Sequence, residues 1–363
     1  MVKVGVVGLG HMGQLHMLNA LRMEDVEVVA AADKSEKCRN YAKKYHIKTY
    51  DDYTRLIDTE DLDAVIISLP NFLKKEGVFY AAENGVDVFL DKPFSRSFVE
   101  AKEMVRKVEK ENVRMMVGVN YRYFPCVQSL KNKVDRGEIG DPLIVTSELI
   151  LNGPLSHGVV PSPVPEWWLD RELSGGGALL DLGYHLIDLM CWLLGDFDVS
   201  YSSLGHSLHL PVEDAGTLVL KSRECDVTGI VNVGWFSRTI PPDFNFRVNV
   251  HGTVGFDSTD NYLPSSPVGN AVKEGVLNLL RRVAFKKINY LTYTYYYASF
   301  YTILNHFFDA LKNESDFPVS LENQLKVMQI IDSAYSLNKF SSLEKPLELT
   351  HVISSNYSFT ESK

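Results

Sequence analysis

The chain has 363 residues, 45% apolar and 23% charged, with a net charge of -9 and a pI near 5.6. The length predicts about two domains, and the acidic balance excludes nucleic acid as the main partner, because phosphate binding needs basic surface. Cys38, Cys126, Cys191 and Cys225 lack C-x-x-C spacing, so neither a zinc site nor a disulfide framework is expected. No apolar run reaches the roughly 18 residues of a bilayer span, and no signal segment precedes the opening strand. The expectation is a cytoplasmic protein without a metal or integral membrane contact.

Val2 to Val7 is a short apolar run ending at Gly8, followed by Leu9, Gly10, His11, Met12 and Gly13 before helical spacing begins. This is G-x-G-x-x-G in the setting a dinucleotide turn requires. Gly8 allows the tight turn, Gly10 lets the backbone approach a pyrophosphate, and Gly13 lets helix and strand pack closely. The diphosphate would sit at the helix N-terminus. A second strand, Val26 to Ala32, ends at Asp33, where a carboxylate meets ribose hydroxyls and repels a 2'-phosphate. NAD is therefore the expected cofactor, and NADP the alternative if Lys34 or Arg39 takes the phosphate.

Strands are expected at Asp63 to Leu69, Val86 to Leu90 and Val113 to Val119, with helices at Asn71 to Asn84 and Ser97 to Glu111. That alternation implies a doubly wound parallel sheet whose ligands bind beyond the carboxyl ends of its strands. Those ends carry Ser68, Leu69, Pro70 and Asn71, then Asp91, Lys92 and Pro93, then Asn120, Tyr121 and Arg122. All but Pro93, Tyr121 and Arg122 join the glycine turn, Asp33 and Lys34 as candidate cofactor-binding residues. Lys92 could stabilise a substrate alkoxide or carbonyl oxygen, or be a solvated loop lysine. Arg122 could clamp a substrate anion or pair with an acid across the domain junction.

Pro142 to Ile150 reads as a strand, and Leu151 to Glu166 as a loop walling the substrate site. It leads to Trp167 and Trp168, the latter a candidate to stack on nicotinamide or a sugar face. From Ser174 to Leu194 a glycine-rich turn feeds a helix. Rotation of about 100° per residue puts Leu179, Leu182, Leu186, Leu189 and Leu193 on one stripe and Asp181, His185, Asp188 and Trp192 on another. Asp181 and His185, an i, i+4 pair, can touch, so the acid could hold the imidazole of a general base. The alternative is a satisfied surface pair.

Strand-like runs at Thr217 to Leu220, Val227 to Trp235, Phe246 to His251 and Thr253 to Phe256 predict an antiparallel sheet. Between Asp257 and Phe300 lies an extra stretch. Val272, Val276, Leu279, Leu280 and Val283 can share a helix face, with Arg281, Arg282, Lys286 and Lys287 near its end. Three readings compete: a subunit contact, a cationic rim over the substrate site, and a membrane-surface helix. A helix at Ser320 to Phe340 packs back on the sheet. The resulting division is a dinucleotide domain at 1–121, a substrate and oligomerisation domain at 122–350, and a peripheral tail at 351–363.

With GLGHMG, SLPN, DKP, GVNYRYFP, GEIGDP, GGGALLDLGYHLID and HGTVGF in this order, the chain resembles the glucose-fructose oxidoreductase/inositol dehydrogenase/MocA family. The resemblance implies a Rossmann domain followed by an α/β domain with a large, mainly antiparallel sheet, and a homodimer or homotetramer formed through that sheet. It places the family's catalytic lysine on Lys92 and its aspartate and histidine on Asp181 and His185. Lys92, Arg122, Trp168, Asp181 and His185 are thus the expected substrate contacts. Asp91 stands where the family usually has glutamate, and Lys74 where it often has histidine. The expected activity is NAD-dependent oxidation of a secondary hydroxyl on a sugar, cyclitol or sugar derivative, possibly nucleotide-linked. Its rivals are a glycosidase working by transient oxidation and a dinucleotide sensor without turnover.

Overall fold

The computed structural model describes residues 1–151, 153, 164–236, 245–261, 267–284 and 295–338. The first half alternates strands and helices: β1 (Val2–Val7), α1 (His11–Ala20), β2 (Val26–Ala32), α2 (Glu36–Lys43), β3 (Lys48–Tyr50), α3 (Tyr53–Thr59), β4 (Ala64–Ile67), α4 (Asn71–Glu83), β5 (Asp87–Asp91), α5 (Phe98–Lys110) and β6 (Met115–Gly118). The strands form one parallel sheet in the order β3-β2-β1-β4-β5-β6. All four residues of β4, Ala64 to Ile67, are buried, as expected of a strand covered on both faces. The strand order reverses between β1 and β4, which opens a crevice beyond their carboxyl ends. The expected strands and helices of this half lie within a few residues of these. The sequence pattern did not announce α2, β3 and α3: β3 has three residues, and α2 buries only Ala42.

Pro125 opens α6 (Pro125–Asp135), where its missing N–H costs nothing. Then come β7 (Pro142–Ile150), α7 (Arg171–Ser174), a π-type turn at Leu179–Gly183, and α8 (Tyr184–Leu194). Strands β8 (Phe197–Gly205), β9 (Ala215–Ser222), β10 (Thr228–Gly234), β11 (Asn245–Gly252) and β12 (Phe256–Ser258) follow. The second sheet has the order β12-β11-β7-β10-β9-β8 and is antiparallel except where β10 runs parallel to β7. Thr253, expected to start a strand, lies in the turn between β11 and β12. The nine-residue β8 was not expected; its polar and exposed positions hide the apolar alternation.

The leucine stripe 179, 182, 186, 189 and 193 is buried in the core. The helical stretch Arg171–Leu194 has the length and hydropathy of a membrane span but is mostly buried in the protein. Three later helices are α9 (Pro267–Val283), α10 (Tyr295–Lys312) and α11 (Leu321–Leu337). Helix α10 returns to the first sheet to pack against α1, while α11 packs on α8, α5 and β8. On α9 the side chains of Val272, Val276, Leu279, Leu280 and Val283 are all exposed. Arg281 lies in a pocket with Val2, Met23 and Val26, at the amino ends of β1 and β2. That is the opposite end of the sheet from the cofactor crevice, so Arg281 does not serve as a cationic rim over the substrate site. Lys286, Lys287, most of the loop between Leu151 and Glu166, and the tail lie outside the described residues.

One buried polar network holds α8 in place. Arg122 Nε and Nη2 donate to the two Asp188 oxygens at 2.8 and 2.6 Å, Gln324 Nε2 donates to Asp188 at 2.6 Å, and Tyr184 Oη donates to Gln324 at 2.6 Å. Arg122 and Asp188 are 3% and 1% exposed. Removing one partner of such a pair strands the other charge in the interior, a loss of about 3–5 kcal/mol. Asp188→Ala should therefore lower unfolding stability by about that amount in urea titrations; a loss below about 1 kcal/mol would contradict the assigned role.

Candidate active site

The glycine turn has the geometry a dinucleotide needs. Gly8 has φ +88°, and a Cβ there would lie 2.5 Å from Ser68 O; a Cβ on Gly13 would lie 1.8 Å from Gly8 O. Nothing lies within 4 Å of a Cβ built on Gly10, so the turn is open where its backbone faces the crevice. Gly10 caps α1 without a side-chain hydrogen bond, and the first turn carries no acid. The exposed N–H groups of that helix end suit a phosphate.

Asp33 is fixed by the backbone, accepting from Leu9 N at 2.6 Å and Ser35 N at 2.7 Å. A carboxylate has lone pairs beyond those two, so it can still accept from ribose hydroxyls. Lys34 reaches Asp52 at 3.2 Å, and Arg39 donates to the carbonyls of Asp33 and Lys34. Across the crevice the Ser68 hydroxyl is buried with no hydrogen-bond partner among the described residues. Leu69 and Pro70 are half-buried beside it. These features fit NAD: the glycine turn and α1 would hold its diphosphate, and Asp33 its ribose.

Three of the expected cofactor residues also have partners within the protein. Asn71 Nδ2 donates to Ser174 O at 2.8 Å and Asn120 Nδ2 to Ser299 Oγ at 2.8 Å, both buried. Asp91 is buried with His16 Nε2 3.6 Å away. These side chains tie the strand ends to the second domain and to α1 and α10. Arg122, offered above as a substrate clamp or as the partner of an acid across the domain junction, is 3% exposed and pairs with Asp188, which supports the second reading.

Lys92 leaves the end of β5 and meets the glycine-rich helix. Its Nζ donates to Asp181 Oδ1 at 2.7 Å and to Asp181 O at 3.2 Å. The side chains remain 24% and 14% exposed, so the pair borders the cleft. The other Asp181 oxygen accepts from Trp235 Nε1 at 3.2 Å. The π-type turn around Asp181 winds more loosely than an α-helix, which departs from the regular rotation behind the expected contact. The ring of His185 stacks on Tyr121 with centroids 4.0 Å apart. Its Nδ1 is buried with no hydrogen-bond partner among the described residues. Asp181 therefore acts on His185 through charge rather than through a hydrogen bond to Nδ1.

Glu213, which the sequence did not single out, sets the start of this helix. Its Oε1 accepts from Gly177 N at 2.8 Å, Leu179 N at 3.1 Å and Tyr335 Oη at 2.7 Å. Trp235 and Tyr121 were also not singled out as site residues, although each stands at an expected strand end. Trp168 is half-buried with its ring 6.5 Å from Trp235 and 5.8 Å from Trp167. The aromatic wall therefore reaches the Asp181 carboxylate.

The model described as "Oxidoreductase family, NAD-binding Rossmann fold" matches residues 2–119, and that described as "GFO/IDH/MocA C-terminal domain" matches residues 127–256. The chain belongs to the Gfo/Idh/MocA family. This member is an oxidoreductase with an NAD-binding Rossmann domain. It is 27% identical to a myo-inositol 2-dehydrogenase from Thermotoga maritima, with 72% of this chain and 75% of that protein covered. It is 28% identical to a scyllo-inositol 2-dehydrogenase (NAD(+)) from Bacillus subtilis, covering 70% and 72%. The fold matches the crystal structure of the WlbA dehydrogenase from Bordetella pertussis with NADH and UDP-GlcNAcA at a TM-score of 0.76 and 18% identity, covering 93% and 95%.

His185 is held well below the ordinary imidazole value, first by burial and then by the Lys92 cation, against the opposing pull of Asp181. A base accepts a proton only when neutral, and a depressed pKa keeps it neutral as the pH falls through about 6.5. With His185 as the proposed base, the acid limb of kcat/KM for alcohol oxidation should therefore lie below pH 6.5, and Lys92→Met should move it upward. A limb at or above 6.5 in the native enzyme would contradict this environment.

Proposed function

We propose that the protein is an NAD-dependent dehydrogenase oxidising a secondary hydroxyl on a sugar, a cyclitol or a sugar derivative, including nucleotide-linked ones. The observation that carries this reading is the Lys92–Asp181 ion pair at 2.7 Å, bordering the cleft near an imidazole kept neutral. Lys92 Nζ donates to the carbinol oxygen and stabilises the negative charge that grows on it. His185 takes the hydroxyl proton. Asp181 holds Lys92 in position and favours the imidazolium that results. Bound NAD supplies the acceptor for the carbinol hydride. Trp168, beside Trp235, offers an apolar face for a ring bearing C–H bonds, and the inositol dehydrogenases among the relatives support a polyhydroxylated ring.

The test is absorbance of NADH over a panel of sugars, cyclitols and nucleotide sugars. The expected result is net NADH with at least one of them, which also separates oxidation from a hydrolysis that recycles its cofactor. On that substrate Lys92→Ala and His185→Ala should each lower turnover by about 100-fold or more, with a smaller change in NAD affinity. NADP should bind more weakly than NAD because of Asp33. Near-native turnover in either variant would remove that residue from the mechanism, and equal or tighter NADP binding would overturn the role of Asp33.

We also propose a homo-oligomer formed through the outer face of the second sheet, in the cytoplasm. The strand register places Tyr201, Val219 and Ile230 in one row of that face and Ile144, His251 and Phe256 in another. Tyr201, Ile144 and Phe256 are exposed, which supports a covering partner. All four cysteines are unpaired thiols, which suits a reducing compartment. Light scattering should give a dimer or larger, and Ile144→Asp with Tyr201→Asp should reduce it to the monomer; a monomeric native protein would contradict the assembly.

A further inference from the structure

Lys74 lies on α4, one turn from its start, and is 2% exposed. Its Nζ donates to Asp91 O and to Pro93 O, each at 2.8 Å. These are the carbonyls of the residues before and after Lys92, so a single ammonium holds the backbone on both sides of the residue that meets Asp181. We infer that Lys74 is a positioning residue for the reaction: it fixes the end of β5 so that Lys92 Nζ is delivered to Asp181 and the substrate oxygen.

The bland alternative is a lysine filling space in the core. An apolar side chain of that length, such as methionine, would fill the same volume without the cost of stripping water from an amine. Burial pushes Lys74 down to about 7, with Asp91 and Glu100 opposing and the Lys92 cation assisting. A group so costly to bury is better explained by what it holds than by its volume. Asp91 is the last residue of β5 and Pro93 lies just beyond it, where the ladder ends and a buried carbonyl needs another donor. The polar groups facing this corner are Asp91, paired with His16, and Glu100, which accepts from Arg96. Neither carboxylate takes a hydrogen bond from Lys74, whose named partners are the two carbonyls.

The inference rests on Lys92 being catalytic, and a double-mutant cycle separates the two ideas. Lys74→Met should lower kcat by about tenfold or more, the scale expected when a reacting group is displaced by a fraction of an ångström to an ångström. The dissociation constant for NAD should change less than threefold. In a Lys92→Ala background the same change should alter kcat less than twofold, because the group it positions is gone. Equal losses in both backgrounds, or no loss in either, would overturn the inference and leave Lys74 a packing residue. If Lys92→Ala alone leaves turnover intact, the catalytic reading falls and this inference with it. Should Lys74→Met not fold, the cycle is run with Lys74→Gln, whose amide retains N–H donors and loses the charge, with the same outcomes deciding.

Discussion

The site depends on one ion pair made across two folding units. Lys92 ends a strand of the parallel sheet, and Asp181 sits on the helical segment that leads into the second domain, so the pair forms only when the two are docked. A partly exposed pair of this kind contributes little stability by itself. In the proposed reaction its value is chemical: it would place a cation where oxygen develops charge, beside an imidazole that the same cation helps keep neutral. The docking that permits it is secured elsewhere, by the buried Arg122–Asp188 pair with Gln324 and by Asn71 on Ser174 O. Buried, hydrogen-bonded groups thus support a pair that remains partly exposed.

Much of this was legible in the sequence, for identifiable physical reasons. The dinucleotide turn is written in backbone requirements: a residue at Gly8 must accept a positive φ, and one at Gly13 must leave room for the Gly8 carbonyl. Side chains other than glycine fail those tests, so the residue type reports the geometry. The leucine stripe of the central helix was readable because burial follows helical rotation. Lys92, Asp181 and His185 came from short motifs as well as from their places at a strand end and on one helix.

What was not legible depended on distant partners. Arg122 could not be assigned until Asp188, 66 residues later, was seen to take both of its hydrogen bonds. The polar stripe on α8 combined His185, the proposed base, with Asp188, which pairs with Arg122, and residue type alone does not separate them. The sequence expected Asp181 to hold His185, whereas its side-chain oxygens meet Lys92 and Trp235 and its influence on His185 is through charge. Lys74 read as a departure from a family pattern; its two carbonyl partners became visible only once α4 and the end of β5 were in place. Glu213 and Trp235 likewise reach the site from strands and loops whose register the sequence did not specify.

The most direct measurement of the central claim is a crystal structure of the protein with NAD and a substrate identified by NADH formation. The proposed roles of Lys92 and His185 require the carbinol oxygen to lie within hydrogen-bond distance of both Lys92 Nζ and a ring nitrogen of His185, with the carbinol carbon facing the nicotinamide. A substrate oxygen touching neither side chain, in a complex that turns over in the crystal, would contradict it.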